Sequence, residues 1–149
     1  MKEIKVKFGK DYEKPLRNLK VVCHKNNYSY STGNPRKTTP RCFAKDHDRL
    51  VPLIYKHDHL DPNKILGGVI LCYHKTEILC HIWCVNEAAF TKEILDELKD
   101  GFVFDIWATN LKLSKAGNYK KGKIREVSIM PAKYLPDHNP LYFTEETLC

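Results

Sequence analysis

Residues 101 to 112, Gly-Phe-Val-Phe-Asp-Ile-Trp-Ala-Thr-Asn-Leu-Lys, and residues 122 to 132, Gly-Lys-Ile-Arg-Glu-Val-Ser-Ile-Met-Pro-Ala, decide the fold. Both runs are rich in Phe, Val, Ile and Trp, and the polar stretch 114 to 122 separates them, a pattern of two strands around a turn. In the first run Val103, Trp107 and Leu111 point one way and Phe104, Ile106 and Ala108 the other, so cover is expected on both faces. One carboxylate, Asp105, falls in that run, on the face of Val103 and Trp107. A buried, unpaired carboxylate costs several kcal/mol, so Asp105 needs a partner or a route to water.

The chain around this stretch has the length of one domain, residues 1 to 149, long enough to bury a genuine core. Apolar residues make up 42%, which excludes wholesale disorder. No apolar run reaches the roughly 18 residues of a membrane span, and no membrane partner is expected. The opening Met1-Lys2-Glu3-Ile4-Lys5 is charged and runs on as a strand pattern, unlike a secretory signal. A net charge of +7 suits an acidic surface, nucleic acid or plain solubility, and chooses none of them.

Six cysteines and seven histidines raise the question of metal. Cys72, His74, Cys80, His81 and Cys84 lie close in sequence, but no Cys-x-x-Cys or His-x3-His pair is present, so neither metal nor cofactor is expected. Strand alternation instead puts Ile78, Cys80, Ile82 and Cys84 on one face, where free thiols act as small buried hydrophobes. A reducing compartment follows as the default.

In order, Ile4, Val6 and Phe8 alternate with charges as a first strand, and residues 19 to 23 form a second. Residues 24 to 40 carry turn residues and no periodicity, which predicts a basic arm outside the sheet whose loss would hardly alter the melting temperature. Within it Lys25, Tyr28, Tyr30, Arg36 and Lys37 are candidate binding residues, for a neighbouring subunit or, by stacking on bases, for nucleic acid. Residues 50 to 58 form a strand ending in His57, Asp58, His59 and Asp61. Residues 65 to 73 and 76 to 85 pair as a hairpin, with Gly67-Gly68 allowing close backbone approach. Asn86 caps a helix over 87 to 100 whose inner side holds Ala88, Phe90, Ile94, Leu95 and Leu98, and Gly101 terminates it. Strands, one helix and two more strands make an α+β fold, mostly antiparallel and curled into a barrel.

A histidine set among carboxylates is the usual general base of a nucleophilic hydrolase, and a polar surface turn otherwise. The chain holds four serines: Ser29 and Ser31 in the arm, Ser114 in a turn, and Ser128 on the second central strand. Four stretches carry a resemblance: residues 51 to 58, Val-Pro-Leu-Ile-Tyr-Lys-His-Asp, followed by Gly67 or Gly68; the helix ending Leu98-Lys99-Asp100-Gly101; residues 106 to 112, Ile-Trp-Ala-Thr-Asn-Leu-Lys; and residues 122 to 129, Gly-Lys-Ile-Arg-Glu-Val-Ser-Ile. In order and approximate spacing they resemble the prohead (capsid maturation) serine proteases of tailed phages, over roughly residues 50 to 132.

The resemblance implies an assemblin-like barrel, a base at His57, and Glu126 as a candidate third group. The nucleophilic serine, which in the family directly precedes the Ile-Trp-Ala type sequence, falls on Asp105, or on Trp107 in a register shifted by two. No serine stands at either, and the family's small-residue tail is replaced by Lys133-Tyr134-Leu135-Pro136. An aspartate there cannot form the usual acyl-enzyme, and nothing supplies the second carboxylate of an aspartic dyad.

The expected protein is therefore a degenerate, catalytically inactive member of that family. The resemblance implies a structural role in the virion, as an auxiliary or decoration protein on a phage capsid. It would be made in the host cytoplasm and bound to the major capsid protein and to other copies of itself. The alternative is an active maturation protease with a displaced nucleophile, Thr109 or Ser128. Asp105 is expected within hydrogen-bonding reach of His57 or His59.

Overall fold

The computed structural model describes residues 3–8, 12–26 and 36–149. Their strands are β1 (Lys5–Phe8), β2 (Tyr12–Pro15), β3 (Lys20–Lys25), β4 (Leu50–Tyr55), β5 (Ile65–Tyr73), β6 (Glu77–Val85), β7 (Phe102–Leu113), β8 (Tyr119–Pro131) and β9 (Tyr142–Phe143), with helices α1 (Lys92–Leu98) and α2 (Glu145–Leu148). The fold is α+β. Six strands form one curled, half-barrel sheet in the order β3-β6-β5-β4-β8-β7, and β2-β1-β9 form a smaller one. The large sheet is mixed, because β4 pairs with β8 in parallel while its other pairings are antiparallel. Its curl brings the two edge strands, β3 and β7, alongside each other.

The alternation read in the sequence drives this arrangement. Phe104, Ile106 and Ala108 of β7 and Ile124, Val127 and Ile129 of β8 are buried in one core with Leu53, Leu71 and Ile82. The expected pairing of the two central runs is present, from Phe102 opposite Pro131 to Leu113 opposite Tyr119. Cover on both faces extends only over Phe102, Val103 and Phe104, and Trp107 is 37% exposed. Asp105 stands where that cover ends.

The β5–β6 hairpin is also as expected, and Gly67 shows why glycine is needed there. A Cβ at that position would lie 2.1 Å from the Cys84 carbonyl oxygen. The same place corrects the face assigned to Cys84. Gly68 opposes Cys84 but Val69 opposes Ile82, so a bulge at Trp83 shifts the alternation and Cys84 is exposed. Cys23, Cys42 and Cys80 are buried, and no disulfide forms among the described residues.

The helix is shorter than its apolar pattern suggests. Asn86 precedes a single 3-10 turn, Glu87–Ala89, and leaves Ala88 exposed. The α-helix begins after Thr91, whose hydroxyl accepts the Ile94 N–H at 3.3 Å. That cap defines the true start. Ile94 and Leu98, one turn apart, are the buried residues, and Gly101 follows with φ +113.

The arm is the larger correction. Residues 24 and 25 continue β3, and His24, Asn26 and Thr38 are all buried. Asn26 Nδ2 donates to the Lys75 carbonyl at 2.9 Å, Thr38 Oγ1 donates to Asn26 Oδ1 at 3.0 Å, and His24 Nε2 meets Thr38 Oγ1 at 2.8 Å. Both described ends of the segment thus belong to the fold, so its removal costs stability. Turn-rich composition concealed this because the buried polar groups satisfy one another across the segment. The middle of the arm, residues 27–35, lies outside the described residues.

Candidate functional site

The site forms where β4 gives out. The expected strand over 50 to 58 stops at Tyr55, and Lys56 and His57 take left-handed conformations, φ 52 and φ 57. Two successive side-chain-bearing residues in that region carry strain, which neighbouring bonds must offset. Lys56 N–H donates to the Ile129 carbonyl at 3.1 Å, and His57 N–H donates to Ser128 Oγ at 2.8 Å. Ser128 is fully buried, so its hydroxyl anchors the backbone of the histidine turn.

Register supplies the facing groups. Asp105 sits opposite Ser128, and Trp107 opposite Glu126. The turn hangs His57 over this pair of rungs, with Nε2 3.1 Å from Asp105 Oδ2 and Nδ1 3.6 Å from Glu126 Oε1. His59 follows: its Nδ1 lies 3.5 Å from the same Glu126 oxygen and 3.2 Å from the His57 carbonyl. Its ring stacks on Trp107 with centroids 4.8 Å apart. Two imidazoles and two carboxylates therefore form one cluster.

Glu126 is the most constrained member. It is 1% exposed, and among the described residues neither carboxylate oxygen has a hydrogen-bond partner. The histidine contacts at 3.5 and 3.6 Å are ion-pair distances, too long for hydrogen bonds. A buried carboxylate without hydrogen bonds needs a positive charge beside it.

His57 supplies that charge. Burial alone would lower its pKa, but the Asp105 and then the Glu126 carboxylates outweigh it and carry it up to about 9. At neutral pH both ring nitrogens therefore hold protons and both face carboxylates. A general base must offer a free ring nitrogen, and this histidine has none. Neither candidate for a displaced nucleophile is hydrogen-bonded to the His57 ring among the described residues. Ser128 Oγ accepts from the His57 backbone N–H, and Thr109 Oγ1 accepts from Arg125 Nε.

The structure thus brings His57, Asp105 and Glu126 together. The contribution of Ser128 and the seating of His59 on Trp107 were not read from the sequence. Ser128 was visible only as a candidate nucleophile, because its role is to hold a backbone N–H that sequence does not locate. Of the arm residues, Lys25 ends β3, Arg36 Nη1 donates to the Gly117 carbonyl at 2.9 Å, and the Lys37 carbonyl accepts from Tyr119 N–H at 2.8 Å. Tyr28 and Tyr30 lie outside the described residues. Among the described residues no group of three or more His, Cys, Asp or Glu is disposed to hold a metal, and no helix is long and apolar enough to cross a membrane. Comparison of the chain with protein-family models, curated proteins and solved structures returns no match.

Proposed function

We propose that the chain is a prohead-protease-fold protein that no longer cleaves, and that it serves in the virion as an auxiliary or decoration protein on a phage capsid. The observation that carries this reading is the clamping of His57 between Asp105 and Glu126. In the resemblance, Asp105 occupies the place of the nucleophilic serine and His57 that of the base. One carboxylate there removes the nucleophile and also turns the base into a charged partner. The curl that lays β3 alongside β7 is compatible with an assemblin-like barrel. The capsid assignment rests on the resemblance, since an enzyme that processes shell components already has a surface for them.

Purified protein incubated with capsid precursor and a peptide library should give no specific cleavage. Virions containing the wild-type chain should retain it at high copy number, as a decoration protein persists after assembly. Specific cleavage that His57→Ala abolishes would overturn this reading in favour of an active maturation protease with a displaced nucleophile.

A further inference from the structure

Charge along this chain is segregated. Residues 14 to 45 hold eight Lys or Arg and no Asp or Glu, and residues 106 to 125 hold six and none. The remaining residues carry eleven cations against eighteen acids, so these two stretches more than account for the net +7. Residues 36 to 39 of the first stretch meet the second at the far end of the β7–β8 hairpin. Thr38 bridges Tyr119 in parallel, Thr39 N–H donates to the Tyr119 carbonyl at 2.8 Å, and Arg36 reaches the Gly117 carbonyl.

On the hairpin itself, Lys112 stands directly opposite Lys121. Like charges in that position are destabilising. Lys123, two residues from Lys121 on the same face, pairs across from Thr109, which continues the positive strip. Lys112, Lys115, Lys121 and Lys123 are exposed, and none is in an ion pair among the described residues. Two cations elsewhere in the fold are paired, Arg49 with Asp46 and Lys56 with Glu97.

We infer that this end of the hairpin, with Arg36 and Lys37 beside it, binds the phosphodiester backbone of nucleic acid without reading sequence. Lysine binds phosphate as a point charge without a fixed geometry, which suits contact that reads no sequence. Lys121 and Lys123 are about 7 Å apart along the strand, comparable with successive phosphates of one nucleic-acid strand. The apolar cavity of about 490 Å³ lined by Phe8, Leu141 and Phe143, which could anchor an apolar peptide side chain, involves none of these lysines. A two-stranded ribbon is also narrow enough to enter a major groove.

The test is fluorescence anisotropy of the full chain with two short duplex DNAs of unrelated sequence, over about 50 to 200 mM salt. Both duplexes should bind alike, with log K falling linearly against log salt at a slope of about −4 to −5. The triple variant Lys112→Gln/Lys121→Gln/Lys123→Gln should lose roughly tenfold or more in affinity at low salt and reduce that slope by about 2 to 3. The control Lys75→Gln/Lys92→Gln/Lys99→Gln changes net charge equally and should bind nearly as wild type. No binding at the lowest salt, or equal losses in the two variants, would overturn the inference. So would competition by polyglutamate as strong as by duplex DNA at equal charge, which would assign the strip to an acidic protein instead.

Discussion

The β7–β8 hairpin has two ends governed by opposite rules. At the sheet end, Asp105 and Glu126 are half-buried and buried, and the turn after β4 brings two histidines against them. At the free end, Lys112 faces Lys121 in solvent, and residues 106 to 125 contain no acid. The same two strands thus tolerate unmatched charge in one place and enforce matching in the other. The dielectric explains the contrast. A buried carboxylate loses its water and needs a cation beside it, while exposed lysines keep their hydration and repel each other only weakly. Charge at the sheet end is set by the fold, and charge at the free end is left to solvent and, on the inference above, to nucleic acid.

The sharpest way to break this comparison is to remove the matching cation. His57→Ala leaves Glu126 with His59 alone and deprives Asp105 of its bonded nitrogen. Breaking a buried pair costs about 3–5 kcal/mol, and partial exposure of His57 places the expected loss near about 3 kcal/mol. Denaturant titration at pH 6 measures it. Lys123→Ala at the free end should stay within about 0.5 kcal/mol of wild type. Equal effects at the two ends would show that burial does not separate them.

A smaller effect follows from pH, and two histidines bracket it. The folded pKa of His57 is raised to about 9, above its unfolded value, chiefly because the two carboxylates overcome burial. Its contribution is complete below about pH 6.5 and is lost as pH rises through 9, with a ceiling of about 3 kcal/mol. His24 moves the other way. Burial lowers it to about 4, so its contribution is present above about pH 6.5 and is lost as pH falls through 4. Stability should fall on both sides of a maximum near neutrality. His57→Gln should flatten the alkaline limb and leave the acid limb, and His24→Gln should do the reverse. An unchanged alkaline limb in His57→Gln would mean that the cluster does not hold its proton on that ring.

The same contrast between local and distant causes explains what the sequence discloses. The central hairpin and β5–β6 were legible because Phe104, Ile106, Val127 and Ile129 alternate and Gly67 marks a close approach. That Asp105 needs a partner or a route to water was legible as an anomaly in an apolar strand, and the resemblance pointed to His57 or His59 as that partner. β2 was not legible, because all four of its residues are exposed and carry no pattern. The parallel pairing of β4 with β8 joins residues more than 70 positions apart, which no local period encodes. Bulges at Trp83 and near Arg125 also shift faces that simple alternation assigns. The helix start moved from Asn86 to Thr91 because both are good caps and only packing chooses between them.

The smallest expected effect probes the free end directly. Lys121→Glu places opposite charges across from each other where Lys112 and Lys121 now repel. Cross-strand pairs of this kind contribute roughly 0.2–1 kcal/mol, and solvent screening at an exposed site holds the gain to about 0.5 kcal/mol. Thermal unfolding at low salt should therefore show a small stabilisation, and added salt should erase it. Binding to duplex DNA should weaken in the same variant, because a cation has been exchanged for an anion on the strip. The two readouts have opposite signs, which simple damage to the hairpin cannot produce. A hairpin shaped for its own stability would place an acid there. If Lys121→Glu is neutral or destabilising at low salt, the lysine pair is not in repulsion, and its unmatched charge no longer points to a missing partner.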